Sequence, residues 1–159
     1  MSLFKRIPSL LLLVSLSACG FTPVYGTGGS GTKLQNNVEV SEPDTLNGFL
    51  LTQRIEERLG RSADPAYQLN VAVRTNQENL AVDSEGNITR YNLLGYAEFA
   101  LLDTTAGGVI VSGSVDNFTG YSAAGTTVAT QAAERDAQRR LMVLLADQIT
   151  TRVLSADLQ

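Results

Sequence analysis

The sequence predicts an α+β domain in which a four-stranded, mostly antiparallel sheet carries two helices on one face. Three observations predict it: two segments with apolar residues at helical spacing, three β-rich segments separated by turn sequences, and a short alternating segment before the first helix. The predicted order is β-α-β-β-β-α, and each helix needs an apolar surface to cover. The other face of the sheet must then contact water or a partner.

The first strand and helix are predicted between residues 38 and 59. Val38–Val40 alternates and predicts a short strand, which ends before Pro43 because the residue preceding a proline avoids helical geometry. The predicted helix runs to Leu59, with Asp44 or Thr45 as its cap and Gly60 just past its end. Its apolar residues at helical spacing are Leu46, Phe49, Leu50, Ile55 and Leu59.

Three strands joined by hairpin turns are predicted next. Residues 67–74 alternate with a period of two, and a turn sequence occupies 83–87. Residues 88–102 are β-rich and long for one strand, so Gly95 is expected to mark a bulge or bend where the inward face changes parity. A second turn at Gly107 and Gly108 leads into residues 109–118, which completes an antiparallel meander.

A long C-terminal helix is the clearest predicted element. Thr127 can cap it, and apolar residues recur along one side. These residues are Ala133, Ala137, Leu141, Leu144, Leu145, Ile149 and Val153.

The N-terminus has the charge-then-apolar order of a secretory signal peptide. Lys5 and Arg6 precede an apolar stretch, residues 7–16, that is much shorter than the roughly 20 residues of a membrane-spanning helix. Residues 1–18 are therefore expected to be removed, and no later segment is a better candidate for spanning a membrane. The sequence Leu16-Ser17-Ala18-Cys19 resembles the bacterial lipobox.

Cys19 is expected to be lipidated with a diacylglycerol and an N-acyl chain such as palmitate, and no other cofactor is expected. It is the only cysteine in the chain, so it cannot form an internal disulfide. Gly20 in place of an aspartate favours the outer membrane, by resemblance to the sorting rule of enteric bacteria. Residues 19–37 are predicted to be a lipidated N-terminus and flexible tether, because 27–37 are rich in Gly, Ser and Asn. Residues 38–155 are predicted to form the single domain.

Charge and composition exclude several classes of function. Removal of Lys5 and Arg6 with the signal peptide reduces twelve basic residues to ten, against sixteen acidic ones, which leaves a net charge of −6 and disfavours nucleic acid as a partner. The chain has no histidine, and no carboxylates lie at metal-ligand spacing, so neither a catalytic residue nor a metal site is predicted. The carboxylate pairs Glu56/Glu57 and Glu134/Asp136 lie on predicted solvent faces, where charged residues are ordinarily solvated.

Arginines form the remaining feature of interest. Those on the two helices are interpreted as partners of Glu56, Glu57, Glu134 and Asp136 along exposed faces; they are Arg54, Arg58, Arg61, Arg135, Arg139, Arg140 and Arg152. Arg74 and Arg90 differ because they fall on strands, on the sheet face that the helices are not expected to cover. They are candidate contacts for an anionic ligand or partner group.

The segment CGFTPVYG at residues 19–26 resembles the start of mature lipoproteins of the LptE family, which assemble lipopolysaccharide. The matching residues are Cys19, Gly20, Phe21, Pro23, Tyr25 and Gly26. Val24 replaces a leucine of the family pattern, and the predicted element order is also similar to the family's.

The resemblance implies a non-enzymatic outer-membrane lipoprotein on the periplasmic side. It would act as plug and assembly partner of the LptD β-barrel in lipopolysaccharide transport and insertion, with lipopolysaccharide itself a second candidate partner. The alternative is an auxiliary or regulatory lipoprotein of a periplasmic transport or cell-wall synthesis complex. A lipid-anchored hydrolase would need a catalytic group that the sequence does not supply.

Overall fold

The computed structural model describes residues 24–26 and 29–158. The signal peptide, Cys19, Gly20, Phe21 and Pro23 lie outside the described residues. The elements in chain order are α1 (Ser30–Leu34), β1 (Val38–Val40), α2 (Leu46–Leu59), β2 (Tyr67–Val82), β3 (Ile88–Asp103), β4 (Val109–Ser122) and α3 (Thr127–Leu154). Apart from the short α1, this is the predicted order, and the α+β fold class is confirmed.

The four strands form one sheet in the order β1-β2-β3-β4. β1 runs parallel to β2, while β2 with β3 and β3 with β4 are antiparallel. The register places Leu69, Leu101 and Val111 side by side across the three long strands. β1 and β4 are therefore the two edges, and the mostly antiparallel sheet is confirmed.

Gly95 is not a bulge, which corrects the prediction for β3. It pairs with Thr75 and Asn117 in unbroken register, and the inward residues keep one parity on both sides of it, from Leu93 to Leu101. Its role is steric, because a Cβ atom at this position would lie 2.8 Å from Leu145 Cδ1. The missing side chain lets α3 lie close to the sheet.

Both helices cover the same face of the sheet, as predicted. α3 lies over β3 and β4, and α2 packs mainly against α3 beside β1 and β2. Burial of each large aliphatic side chain between these layers stabilises the fold by about 1.5–3 kcal/mol. The largest fully buried apolar side chains are Leu34, Leu51, Ile55, Leu69, Leu101, Leu141, Met142, Leu145, Ile149 and Val153.

α2 begins and ends where the sequence indicates, but its inward face differs from the prediction. Thr45 Oγ1 accepts a hydrogen bond from Gly48 N at 3.0 Å, and Gly60 follows the helix with a φ of 80°. Leu46 and Phe49 were expected to be inward, yet they are 70% and 55% exposed. The reason is that the buried stripe starts at Leu51 and recurs every four residues.

α3 departs from the prediction in two smaller ways. Its cap is Thr126, whose hydroxyl accepts from Ala129 N, rather than Thr127. Leu144 is partly exposed, whereas Met142 and Ala146 are buried, because this helix contacts α2 as well as the sheet.

Part of the segment expected to be a flexible tether is helical and packed against the domain. In α1, Leu34 is fully buried, and Ser30 Oγ donates to the carbonyl of Ala156 at 2.8 Å. Lys33 Nζ donates to the carbonyl of Leu158, whose side chain is also buried. Burial of Leu34 and these hydrogen bonds hold the segment in place although its composition is typical of a loop. Residues 30–34 and 158 therefore belong to the packed structure.

Candidate binding surface

The face of the sheet opposite the helices is the candidate functional surface. Its side chains alternate with those that face α3, so Leu94, Tyr96 and Glu98 on β3 point away from the core formed by Leu93 and Ala97. Their neighbours across the register include Arg74 on β2 and Phe118 on β4. We call this surface the open face.

Arg74 lies on the open face, as the sequence predicts, and the structure gives it two partners. Its guanidinium lies 5.2 Å from the centroid of the Tyr96 ring, and Arg74 Nη2 is 3.6 Å from Glu98 Oε2. The Tyr96 hydroxyl donates to Glu98 Oε1 at 3.2 Å. Arg74 is 72% exposed, so these contacts orient the guanidinium and leave it accessible to an anionic group.

Arg90 lies on the same face, but the structure does not bring it near Arg74. Arg90 is on β3, where it pairs with Ala81 and Ser122. Arg74 pairs with Tyr96, which is six residues further along β3 than Arg90. At about 3.3 Å per residue this separates the two rows by roughly 20 Å. Within the described chain no carboxylate lies in salt-bridge distance of Arg90. The two arginines can contact one extended anionic partner but not one small ligand.

A shallow depression of about 280 Å³ lies between these strands on the open face. Its floor is apolar, formed by Leu94, Tyr96 and Phe118, and its rim carries Arg74 and Asp116. Phe118 is 63% exposed. Sequence reasoning did not single out Leu94 or Phe118, although regular alternation through Gly95 would have placed Leu94 opposite the core.

Arginines on the helices are ion-paired, partly as expected. Arg54 contacts Glu57, Arg61 contacts Glu56, and Arg139 and Arg140 contact Asp136. The sequence did not identify Asp147 on α3, which is the partner that joins the two helices.

Asp147 binds two arginines of α2. Arg54 Nε lies 3.1 Å from Asp147 Oδ1, and Arg54 Nη2 lies 3.3 Å from Oδ2. Arg58 Nη1 also donates to Oδ1, at 3.2 Å. The hydrogen bond to Asp147, then that to Glu57, raises the pKa of Arg54 above its ordinary value. These arginines fasten α2 to α3.

Of the carboxylate pairs considered for acid–base chemistry, Glu56, Glu57 and Asp136 are in salt-bridge contact with arginines. Glu134 lies near Tyr121, and burial, followed by the charges of Glu134 and Tyr91, raises the pKa of the Tyr121 hydroxyl. That hydroxyl donates to Gln77 Oε1 at 3.0 Å. Among residues 24–26 and 29–158 no cluster of acidic, histidine or cysteine side chains could hold a metal ion.

Two residues of the N-terminal motif fall within the described chain. The Tyr25 ring packs over Gly31, where an added Cβ would lie 2.8 Å from Tyr25 Cδ1. The Gly26 carbonyl accepts hydrogen bonds from Gly29 N at 2.9 Å and from Thr32 Oγ1 at 3.1 Å. None of the helices in the described part of the chain is long and apolar enough to span a membrane.

The fold and the open face define a two-layer α+β protein with an exposed sheet surface. A family model described as LptE, lipopolysaccharide-assembly, matches residues 35–153. The chain belongs to the LptE family, which makes it a lipopolysaccharide-assembly lipoprotein of the bacterial envelope, and the family resemblance noted in the sequence is confirmed.

Solved structures of several lipoproteins share the fold. A lipoprotein from Caulobacter crescentus is 23% identical with a TM-score of 0.66, and the match covers 82% of this chain and 96% of that one. Rare lipoprotein B from Shewanella oneidensis is 18% identical with a TM-score of 0.58, covering 76% and 94%. A minor lipoprotein from Acinetobacter baumannii is 18% identical with a TM-score of 0.56, covering 79% and 97%. Comparison with curated proteins gives no significant match.

Proposed function

We propose that this chain is a non-enzymatic outer-membrane lipoprotein that acts as plug and assembly partner of an LptD-type β-barrel. Membership of the LptE family supports a role in lipopolysaccharide assembly, and the open face supports binding to a large partner. The lipid on Cys19 would attach the protein to the periplasmic side of the membrane.

The observation that carries the proposal is the open face itself. It combines exposed apolar side chains, Leu94, Tyr96 and Phe118, with the charges of Arg74 and Asp116 on one sheet surface. The interior of a large outer-membrane barrel is polar and wide enough to hold a small domain. A surface with mixed character can pack against such a wall, whereas a wholly apolar face would favour the acyl chains of the bilayer.

The non-enzymatic part of the proposal rests on the surroundings of the carboxylates. Glu56, Glu57 and Asp136 are each within salt-bridge distance of an arginine on an exposed helix face. A general acid or base instead needs a substrate pocket and a pKa close to the working pH.

The test is affinity purification of the tagged, lipidated protein from detergent-solubilised envelopes, followed by mass spectrometry of what remains bound after a stringent wash. Stoichiometric recovery of an LptD-type barrel is the expected result. Recovery of an inner-membrane or cell-wall complex instead would contradict the plug and favour the regulatory alternative.

Two variants make this test specific to the open face and the anchor. Phe118→Ser with Leu94→Ser should lower barrel recovery several-fold, because it removes most of the apolar floor of the depression. Val128→Ser is the matched control, since Val128 is an exposed apolar residue at the start of α3. Cys19→Ser should release the protein from the membrane fraction, because a lipid attached through the thiol could no longer form.

A further inference from the structure

Within the described residues, the β4 edge of the sheet has a stretch of backbone without hydrogen-bond partners, and each end of this stretch is marked by a structural feature. Phe118 N donates to Asn117 Oδ1 at 2.8 Å, and the Gly120 carbonyl accepts from Arg140 Nη2 at 3.2 Å. These groups therefore point away from β3 and are capped by side chains. At the other end the pairing of β3 with β4 shifts register between Leu101 and Leu102.

Between these ends the edge backbone is unpaired. Alternate residues of an antiparallel edge strand direct their N–H and C=O groups outward. Since Phe118 and Gly120 point outward, Ser112, Ser114 and Asp116 do so as well. Throughout the described chain no other group caps the N–H or C=O groups of these three residues. Three donors and three acceptors are thus available over a length of about 17 Å, enough for one added strand.

A groove of about 480 Å³ runs beside this edge, between β4 and α3. Val115 and Leu144 give it an apolar part, and Arg152 gives it a cationic one. Arg152 Nη1 lies above Gly113, 3.9 Å from where a Cβ atom of that residue would be. Alternate side chains of a strand added at the edge would point into this groove.

Charge identifies the kind of segment that fits. In the described chain no carboxylate lies within 4.0 Å of Arg152, whereas both oxygens of the neighbouring Asp147 are already bound by Arg54 and Arg58. An aspartate or glutamate on the added strand would therefore pair with Arg152.

A second copy of this chain fits less well. Antiparallel pairing of two β4 edges about Ser114 would bring two Arg152 guanidinium groups together beside the two-fold axis. Like charges at such close approach oppose association.

We propose that the β4 edge, from Ser112 to Asp116, accepts an extended segment of the barrel partner as a fifth strand, with an acidic side chain of that segment against Arg152. This assignment rests on the proposed function, because it names how that partner binds. It adds a backbone contact along the β4 edge, which borders the open face at Asp116.

Hydrogen exchange measured by mass spectrometry, on the free lipidated protein and on the purified complex with the barrel, tests the assignment. The amides of Ser112, Ser114 and Asp116 should exchange about tenfold more slowly in the complex, as newly hydrogen-bonded amides do. A complex that forms without this protection would overturn the edge assignment and leave the proposed function standing. If no barrel copurifies, both fail. If these amides are protected in the free protein and its mass is that of a dimer, the strand added at the edge is a second copy of this chain and not a segment of the barrel.

Two pairs of variants add a readout that does not depend on exchange. Ser114→Pro removes one outward N–H, and proline is tolerated at such edge positions. Recovery of the barrel with this variant should fall about tenfold. Ser114→Ala keeps the N–H and should leave recovery unchanged. Arg152→Glu should reduce recovery, and Arg139→Glu, with the same charge change elsewhere on α3, should not. Equal recovery for Ser114→Pro and Ser114→Ala, with circular dichroism showing both folded, would contradict the added strand.

Discussion

Arg54 on α2 holds the carboxylate of Asp147 on α3 with two nitrogen atoms, at 3.1 and 3.3 Å. This contact joins two helices through residues that are 93 positions apart in sequence. It adds a charged contact to the apolar packing between α2 and α3.

We expect Asp147→Asn to reduce the free energy of unfolding by about 1 kcal/mol. The side chains are about one third exposed, so the loss should be smaller than for a fully buried pair. Urea unfolding of the mature chain measures it. Asp136→Asn is the control, since the salt bridges of Asp136 within the described chain are with arginines on its own helix, and its effect should stay below about 0.5 kcal/mol. Equal losses for the two variants would contradict the joining role of Asp147.

The turn between β2 and β3 should depend on pH through Asp83. Its carboxylate accepts hydrogen bonds from Asn87 N at 2.8 Å and Glu85 N at 3.0 Å, and these bonds lower the pKa of Asp83 below its ordinary value. The ionised form is the one stabilised in the folded state. Its contribution is therefore present above the ordinary pKa and is lost as pH falls through the lowered one.

Measurement of the Asp83 carboxyl by nuclear magnetic resonance titration checks this expectation. A pKa at or above that of an unstructured aspartate would contradict it. In Asp83→Asn the amide exchange of residues 85–87 should increase. After correction for the intrinsic pH dependence of amide exchange, its protection should no longer change with the titration of this carboxyl.

Gly95→Ala should destabilise the fold by roughly 1–3 kcal/mol, because the added methyl group meets Leu145 and Leu141 where α3 crosses the sheet. Thermal unfolding followed by circular dichroism measures the change. Gly108→Ala is the matched control, since nothing lies within 4 Å of its added Cβ. A Gly95→Ala variant as stable as the control would mean that α3 moves away from the sheet without loss.

Thr150 and Thr119 are both buried, but they differ in whether the side-chain hydroxyl has a hydrogen-bond partner. Among the described residues Thr150 Oγ1 is buried without a partner, whereas Thr119 Oγ1 donates to the Ala137 carbonyl at 3.0 Å. Thr150→Val should leave stability unchanged or raise it by up to about 1 kcal/mol, and Thr119→Val should lower it by about 1 kcal/mol. Denaturant unfolding of both variants checks the difference. Loss of stability in Thr150→Val would reveal a partner for that hydroxyl, such as a buried water.

Arg74→Glu combined with Arg90→Glu should weaken binding of purified lipopolysaccharide about tenfold if both arginines contact its anionic groups. The 20 Å between their rows implies that one large molecule bridges them. Arg135→Glu with Arg139→Glu makes the same charge change on α3 and should have little effect. Unchanged affinity in the first variant would remove Arg74 and Arg90 as ligand contacts.

The sequence was sufficient for the order of elements from β1 to α3, because alternation and helical spacing are local signals. It missed α1, which is held by contacts with residues near 156–158. It failed on the inward face of α2. Leu46 and Phe49 precede Leu51 by five and two residues, so they lie on the side of the helix away from the buried stripe of Leu51, Ile55 and Leu59. The sequence alone could not assign the role of Gly95. A glycine within a β-rich segment is compatible with a bulge and also with a helix that crosses close above the strand. The sequence predicts the open face through Arg74 and Arg90. It does not predict the depression on that face, because strand pairing is what brings Leu94 and Phe118 together.

The contacts of α1 with the last residues of the chain have a consequence for the timing of folding. Ser30 and Lys33 bond to carbonyls that follow them by more than 120 residues, so α1 gains these contacts only once the chain up to residue 158 is available. Contacts between such distant residues form late, because closing a long loop costs conformational entropy before the contact is gained. Truncation before Ala156 should therefore remove both carbonyl acceptors and leave α1 more open to proteases.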